Sequence, residues 1–319
     1  MSDRLFFCQT KFYVRIEFMC TSIQMKSSDG GLLFARTMDW HTFAPAPLTL
    51  ARGYAWQTAY NHKSVKNLYA VLGIGRNFPD SHADISDGVN EFGLAAQKLT
   101  FSNHSEYSET ANNFKLQLAP FEFVMWLLGN CRSVAEVIEK VNDVQLMTDE
   151  FSLMKYGRND LHFAVTDSTG RMVSIEPRDK KLIVIENRIG VVTNAPSFER
   201  EIAKLEPYLD FTNSSNSLNG ISTGNFSGKP VFPGGFTPTS RFIRATVLKE
   251  RAITPENEHQ NVIETWHILN AVTVPKSDGR SDTYTIYRSA VELKSKTLYF
   301  QRYEDFAITS YRFPDETIR

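Results

Sequence analysis

Two short segments of alternating apolar residues, joined by a pair of glycines, constrain this chain most. From Val14 to Met25 apolar side chains fall largely on every second position, and a second such segment runs from Leu32 to Met38. Period-two alternation is typical of a β-strand, and Gly30-Gly31 supplies a turn between the segments. The pattern predicts an antiparallel hairpin that sets Cys20 on one strand and Arg36 and Asp39 on its neighbour.

The rest of the chain alternates between groups of predicted strands and groups of predicted helices. Strand patterns occur at residues 70–74, 93–101, 162–166, 172–176, 181–186, 190–193, 283–291 and 297–303. Helical periodicity occurs at residues 119–128, 133–141, 241–250 and 262–272. This order indicates a layered α+β protein with mostly antiparallel sheets. Residues 213–233, rich in Asn, Ser and Gly, predict a long surface loop.

Composition narrows the class of partner. The 319 residues are 42% hydrophobic and 22% charged, which suits a globular protein with a substantial core, and no linker divides them. Lys plus Arg number 35 against 36 Asp plus Glu, so no basic field favours nucleic acid. We therefore expect one domain whose partner is a small molecule.

Location and metal content also follow from residue patterns. No run approaches the ~18 apolar residues of a membrane span, and residues 1–19 lack a signal-peptide core. The three cysteines and seven histidines show no metal-binding spacing. We therefore expect a soluble cytoplasmic protein without a metal site, and no nucleic-acid or membrane partner.

Cys20 is the candidate nucleophile. A cysteine that becomes residue one of a mature chain carries a thiol and a base, its own α-amine, on one residue. That amine, with an ordinary pKa of roughly 7.7–8.0, can take the thiol proton near neutral pH. Asp39 could orient the amine, and Arg36 could favour the thiolate. The alternative is a small buried hydrophobic residue, which is the commoner role of a lone cysteine in a strand.

Blocks in a fixed order carry a resemblance to a known family. Cys-Thr-Ser at 20–22 and Ala-Arg-Thr-Met-Asp-Trp at 35–40 are followed by Asp-Gly-Val-Asn-Glu-Phe-Gly-Leu at 87–94 and Thr-Asn-Ala-Pro at 193–196. The set ends with Phe-Thr-Pro-Thr-Ser-Arg-Phe at 236–242. Together they resemble the choloylglycine hydrolase family of N-terminal-nucleophile amidases, which includes penicillin V acylases and bile salt hydrolases. The resemblance implies a four-layer αββα fold with two stacked sheets.

The resemblance also implies roles for individual residues. Cys20 would be the nucleophile, Asp39 the carboxylate that holds its amine, and Arg36 the cation that keeps the thiolate available. Asn194 would donate its amide to the oxyanion, and Arg241 would complete the charge network. Met38 and Trp40, which flank Asp39, are candidates to line an acyl pocket.

One position departs from the family pattern. Where penicillin V acylases carry tyrosine and bile salt hydrolases carry asparagine, this chain has Thr100. A backbone N–H at Thr100 would still serve an oxyanion hole, whereas a required side chain would leave the hole weaker. The blocks around Asp39 and Arg241 look more like penicillin V acylases.

The implied activity is hydrolysis of a linear amide in an N-acylated small molecule, penicillin V acylase-like, through a thioester and without a cofactor. The runner-up substrate is a conjugated bile acid. Residues 20–319 would form one domain behind a removable extension at residues 1–19, or Met19 would be the true start. If the extension is retained, the chain would instead be a latent precursor or a ligand-binding protein. The family resemblance also suggests a homo-oligomer, often a tetramer.

Overall fold

The computed structural model describes residues 19–40, 43–78, 81–156, 159–208, 233–277, 283–314 and 317. The predicted loop at 213–233 lies outside these ranges except for its last residue. The strands are β1 Met19–Lys26, β2 Leu32–Trp40, β3 Ala46–Leu50, β4 Ala55–Gln57, β5 Ser64–Lys66, β6 Val71–Asn77, β7 Ala83–Asn90, β8 Ala95–Thr100, β9 Leu116–Leu118, β10 Val144–Leu146, β11 Leu161–Thr166, β12 Met172–Arg178, β13 Lys181–Glu186, β14 Val191–Val192, β15 Tyr284–Glu292, β16 Thr297–Arg302 and β17 Thr309–Tyr311. The α-helices are α1 Phe123–Asn130, α2 Val134–Lys140, α3 Glu150–Tyr156, α4 Phe198–Leu205, α5 Pro238–Arg251 and α6 Glu258–Val272, and 3-10 turns occupy Pro120–Glu122, Val141–Asp143 and Glu206–Tyr208.

The predicted N-terminal hairpin is present. Strands β1 and β2 pair antiparallel from Met19 opposite Asp39 to Lys26 opposite Leu32. The turn passes through Gly30, whose φ of +83° is a backbone conformation that glycine adopts without steric cost. Strand β15, which lies far along the chain, pairs with the other edge of β2 and makes the hairpin central.

Two antiparallel sheets stack face to face. The first has the strand order β14-β1-β2-β15-β16-β17, and the second has the order β13-β12-β11-β8-β7-β6-β3. Apolar side chains from both sheets, including Phe34, Leu72 and Ala164, fill the space between them. Helices cover the outer faces: α1 and α2 pack on the second sheet, and α4, α5 and α6 pack on the first. The α+β prediction is confirmed, with layers in the order helix, sheet, sheet, helix.

Among the predicted helices, α2 begins where its predicted capping residue places it, whereas α6 begins at Glu258, four residues before the predicted residue 262. Ser133 accepts a hydrogen bond from the Glu136 amide at 3.3 Å and starts α2. Thr237 caps α5 and Pro238 occupies its first turn, so this helix starts before the predicted residue 241. The helix predicted over 119–128 is instead a 3-10 turn followed by α1, which continues to Asn130.

The sequence pattern predicted no strand at β7, which is an inner strand of the second sheet, between β8 and β6. Its sequence, Ala-Asp-Ile-Ser-Asp-Gly-Val-Asn, is rich in residues that are depleted in strands, yet all eight residues are buried. Glycine fits at position 88, whereas any other residue would place its Cβ only 2.6 Å from the Leu72 carbonyl oxygen of β6, which is too close.

No helix in the described part of the chain is long and apolar enough to cross a membrane.

Candidate active site

The pleat of the hairpin decides which side chains meet the Cys20 thiol. Cys20 lies directly opposite Met38, so both side chains project from the same face, toward the second sheet. Their sulfur atoms are 4.0 Å apart. Arg36, two residues along β2, projects from that face too, and its Nη2 donates to Cys20 Sγ at 3.0 Å. The predicted nucleophile and the predicted cation are therefore in direct contact.

Arg36 is fully buried and held by the second sheet. Its Nη1 donates to the Lys98 carbonyl oxygen at 2.8 Å and lies 3.6 Å from Asp87 Oδ1. Asp87 is held in turn by the hydroxyl groups of Tyr287 and Ser289. Burial raises the pKa of Asp87, and Arg36 opposes that effect. The guanidinium is thus fixed beside the thiol by contacts from β7 and β8, and β15 holds Asp87 in place.

Asp39 lies on the opposite face of the hairpin, toward the helical layer. It is opposite Met19 in the register, and its carboxylate accepts hydrogen bonds from Thr285 at 2.5 Å and Thr37 at 3.4 Å. Burial raises the pKa of Asp39 to about 6, with Arg241 opposing the shift. Because the pleat separates Asp39 from the thiol, this carboxylate is placed to act on the backbone end of β1.

Arg241 reaches the backbone of Cys20 from the first turn of α5. Its Nη1 donates to the Cys20 carbonyl oxygen and, at 2.7 Å, to Thr21 Oγ1. Its Nη2 donates to Asn194 Oδ1 at 2.7 Å, and the same Nη1 is 4.0 Å from Asp39. The guanidinium is fully buried. It links the predicted nucleophile, carboxylate and amide in one network.

Asn194 connects Cys20 to the second sheet. Its Oδ1 accepts a hydrogen bond from the Cys20 backbone N–H at 2.6 Å, and its Nδ2 donates to the Thr100 carbonyl oxygen at 2.8 Å. An amide Nδ2 carries two N–H donors, so the second is available for a ligand.

His162 contacts the backbone of Thr193, the residue before Asn194. Its Nε2 lies 2.8 Å from the Thr193 carbonyl oxygen, and its ring stacks on Phe101 with the centroids 4.4 Å apart. Burial lowers the pKa of His162 to about 3, so the ring is neutral and donates from Nε2. Sequence reasoning missed this residue.

The electrostatics of Cys20 combine opposing effects. Burial raises the pKa of the Cys20 thiol above its ordinary value, and this is the largest contribution. Arg36 and Arg241 lower the pKa, while Asp39 raises it. The two arginines therefore reduce the rise in the Cys20 pKa that burial causes, but they do not cancel it. In the structure the Cys20 nitrogen is an amide, bonded to Met19, and is not a free amine.

A pocket opens beside the thiol. Cys20, Met38 and Trp40 line it together with Thr100, which places the two predicted acyl-pocket residues next to the predicted nucleophile. The remaining lining residues are a mixture of apolar and charged side chains: Phe43, Arg76, Asp84, Ser86, Lys98, Phe121, Asn159 and Leu161. The charged members were not among the predicted site residues.

The structure thus brings all the predicted site residues into one cluster: Cys20, Arg36, Met38, Asp39, Trp40, Thr100, Asn194 and Arg241. Sequence reasoning missed Asp87, Thr285 and Tyr287. For Asp87 a signal existed, because it opens the Asp-Gly-Val-Asn block at 87–90. Among the described residues, no group of three or more His, Cys, Asp or Glu side chains could hold a metal ion.

Comparison with known proteins shows the family to which the chain belongs. Residues 20–318 match the family model of linear amide C–N hydrolases, choloylglycine hydrolase family. A bile salt hydrolase/transferase of Clostridium perfringens is 31% identical over 313 residues, covering 94% of each chain. A penicillin V acylase of Pectobacterium atrosepticum is 25% identical over 293 residues, covering 84% of this chain and 73% of that protein.

Solved structures show the same fold. A variant of the conjugated bile acid hydrolase of Clostridium perfringens superposes with a TM-score of 0.78 at 31% identity, covering 92% of both chains. The penicillin V acylase of Agrobacterium tumefaciens superposes with a TM-score of 0.70 at 22% identity, covering 91% of this chain and 85% of that one.

The stacked sheets between helical layers, with a cysteine-centred site, define a hydrolase of the N-terminal-nucleophile fold. The chain belongs to the choloylglycine hydrolase family, and it is a hydrolase of linear amide C–N bonds.

Proposed function

We propose that the chain hydrolyses the amide bond of an N-acylated small molecule, with Cys20 as the nucleophile. The observation that carries the proposal is the contact network of Cys20: its thiol accepts from Arg36 at 3.0 Å and its backbone nitrogen lies 2.6 Å from Asn194. Cys20 lines the pocket together with Thr100, whose carbonyl oxygen accepts a hydrogen bond from Asn194. A nucleophile, a cation and an amide donor therefore converge on the place where a substrate carbonyl would enter.

In the proposed first step, Cys20 Sγ attacks the amide carbon and its proton passes to the freed α-amine. The carbonyl oxygen becomes an oxyanion that accepts from the second N–H of Asn194 Nδ2 and from the backbone N–H of Thr100. As the C–N bond breaks, the α-ammonium returns its proton to the leaving nitrogen. A thioester remains on Cys20. Water, with the amine as base, then releases the carboxylic acid and restores the thiol.

This mechanism requires that residues 1–19 be removed, or that Met19 be the start and be excised. Two observations support that requirement. The family match begins at residue 20, and Met19, buried at 4% exposure, lies opposite Asp39 in the register. A freed ammonium on Cys20 would then face a buried carboxylate that is otherwise held by two neutral hydroxyl groups and by the Arg241 guanidinium 4.0 Å away. Residues 20–319 would form the working domain.

Two substrate classes are candidates. An acyl group resembling that of penicillin V would pack on Met38, Trp40 and Phe43, which are apolar lining residues of the pocket. A conjugated bile acid is the second candidate. It is favoured because the bile salt hydrolase/transferase of Clostridium perfringens is 31% identical to this chain, whereas the penicillin V acylase of Pectobacterium atrosepticum is 25% identical. The proposal also includes that the protein is cytoplasmic and that it forms a homotetramer.

The test combines the mass of the mature chain with a substrate panel. Purified active protein should begin at Cys20 and should release acid from penicillin V, from glyco- or tauro-conjugated bile acids, or from N-acyl homoserine lactones. Recovery of Met1 at full occupancy in active protein would contradict the mechanism. Inactivity on all three classes would place the substrate outside them. Light scattering of the same sample gives the number of subunits.

A further inference from the structure

The pocket beside Cys20 contains charged side chains that the proposed hydrolytic steps do not use. Lys98 of β8 and Asp84 of β7 form a buried ion pair, and Arg76 of β6 donates from Nε to the second carboxylate oxygen of Asp84 at 3.2 Å. All three line the pocket together with Cys20. We call them the charged cluster.

The charged cluster lies close to where the scissile amide would be. Lys98 and Thr100 are two residues apart on β8, so their side chains project from the same face, about 7 Å apart along the strand. Thr100 lines the pocket and accepts from Asn194, the proposed oxyanion donor. The Lys98 side chain therefore starts within a few bond lengths of a carbonyl held by Asn194.

Burial makes the charges of this cluster effective. The Lys98 side chain is 10% exposed and that of Asp84 is 2% exposed. Desolvation lowers the pKa of Lys98, and Asp84 opposes that effect. Charge interactions in such a site are screened less than at the surface. A charged group of a ligand placed here would therefore interact strongly with Lys98 and Asp84.

Neighbouring residues also hold the N–H donors of Lys98 and Arg76 in place. An ammonium carries three N–H donors, and among the described residues only Asp84 accepts from Lys98. Arg76 is held by Phe43 and Phe78, whose ring centroids lie 5.1 and 4.8 Å from its Cζ. Lys98 can thus donate to a further acceptor without giving up Asp84, and Arg76 lies beside it.

We propose that Lys98, with Arg76 beside it, binds a carboxylate of the substrate a few bonds from the scissile amide and so selects acidic N-acyl amides. Asp84 holds Lys98 in place and partly offsets its charge. This inference rests on the proposed amide hydrolysis. It adds a specificity-determining residue that takes no part in bond cleavage.

The test compares pairs of substrates that differ in charge alone. N-phenoxyacetylglycine and its methylamide share one acyl group, as do cholylglycine and its methylamide, and release of the common acid is measured for each pair. The wild type should favour the carboxylate by about 10-fold or more in kcat/KM, since hydrogen bonds to charged groups are worth about that factor. Lys98→Met should reduce the ratio to near one, chiefly by raising KM for the carboxylate substrate.

A second variant gives an effect of opposite sign. Asp84→Asn removes the competing negative charge, so it should raise the preference for the carboxylate substrate. A purely structural role of the pair would not move the ratio in opposite directions. Lys276→Met, which removes an exposed lysine paired with Glu304 outside the pocket, is the matched control and should leave the ratio unchanged.

An unchanged ratio in folded Lys98→Met would overturn the inference. If that variant does not fold, the double variant Asp84→Asn/Lys98→Met replaces the ion pair by neutral groups of similar size, and its ratio should still fall. Equal wild-type rates on both members of each pair would overturn the inference while leaving amide hydrolysis intact. If neither the wild type nor Cys20→Ala releases acid from any of the four substrates, both the proposed function and this inference are wrong.

Discussion

Arg36 Nη2 lies 3.0 Å from Cys20 Sγ, although the two residues are not directly opposite each other in the hairpin. Cys20 faces Met38, and Arg36 is the next residue on the same face of β2. The long arginine side chain spans this diagonal, which side chains of its length can do on a pleated sheet. Its Nη1 donates to the Ser86 carbonyl oxygen of β7 and the Lys98 carbonyl oxygen of β8, and its Nε donates to the Thr37 carbonyl oxygen of β2. The second sheet thus holds the Arg36 guanidinium beside the thiol of Cys20, which belongs to the first sheet.

Removing this cation should make the thiol harder to ionise. In Arg36→Gln the pKa of Cys20 should rise further, because burial already raises it and Arg36 is the largest opposing influence. Each unit of increase reduces the thiolate fraction about 10-fold at a fixed pH below the pKa. The rate of alkylation by iodoacetamide across pH 6–10 measures the shift.

Arg36→Lys is the comparison for that measurement, since it retains the charge and should give an intermediate profile. Both variants disturb the contact with Asp87, so thermal unfolding is measured in parallel. Identical alkylation profiles for wild type and folded Arg36→Gln would show that the cation does not act on the thiol.

The two described cysteines should behave differently. Cys20→Ala should abolish amide hydrolysis with little change in melting temperature. Cys131 is fully buried in the core around α1, and burial raises its pKa to about 12. Cys131→Ala should therefore keep its activity and lose about 1 kcal/mol of stability. Acid release and calorimetry on the two variants check this contrast, and turnover by Cys20→Ala would contradict the assignment of the nucleophile.

Asn194 offers a test of the proposed oxyanion hole. Asn194→Asp keeps the Oδ1 acceptor for Cys20 and Arg241 but replaces the Nδ2 donor by an acceptor. Loss of one such donor typically costs about 100- to 1,000-fold in kcat. We expect that loss with a much smaller change in KM, measured by steady-state kinetics on the best substrate.

The matched control for that prediction is Asn61→Asp, which changes an exposed residue whose amide donates to Gln117 away from the pocket. It should retain wild-type kcat. A value of kcat for Asn194→Asp within about 3-fold of wild type would contradict the role of its amide.

Asp39 should make the chain that retains Met19 less stable as pH rises from about 4 to about 6. Its pKa is about 6 in the folded state, against about 3.8 for an unperturbed group, so the unfolded state releases this proton first. Stability then falls with rising pH across that window. Relative to Asp39→Asn, the wild type should lose on the order of 1–3 kcal/mol between pH 4 and 7, as measured by urea unfolding of protein with verified mass.

Asp29→Asn is a control of opposite sign. The Ser27 hydroxyl lowers the pKa of Asp29, so the wild type should gain stability relative to Asp29→Asn as pH rises through the acidic range. A difference between wild type and Asp39→Asn that is independent of pH would show that Asp39 has an ordinary pKa in the folded chain.

The sequence predicted the parts of the site that depend on local pattern. Alternation and the turn at Gly30 determined that Cys20, Arg36 and Asp39 share one hairpin, because register in a short hairpin is fixed by its turn. The ordered blocks added Asn194 and Arg241, which local pattern alone would have assigned to a turn and to an early helix. The family comparison confirms the fold and the amide-hydrolase class from those blocks.

Strand β7 shows where local pattern failed. Its Asp84 and Asp87 look like solvent-exposed residues, yet both are 2% exposed. Asp87 is held by Tyr287 and Ser289, about 200 residues further along the chain. No window of neighbouring residues contains that information. A buried carboxylate can be recognised only when the groups that satisfy it are known.

The sequence by itself thus determined the hairpin, the nucleophile candidate on it and the layered α+β class, since these follow from periodicity and turn chemistry between neighbours. Only the tertiary structure decided that the pleat would separate Asp39 from the thiol and that Arg36 would be anchored by Asp87. It also decided that Lys98 would enter the pocket. Each of these depends on burial of charge between two sheets, where partners distant in sequence compensate the loss of water.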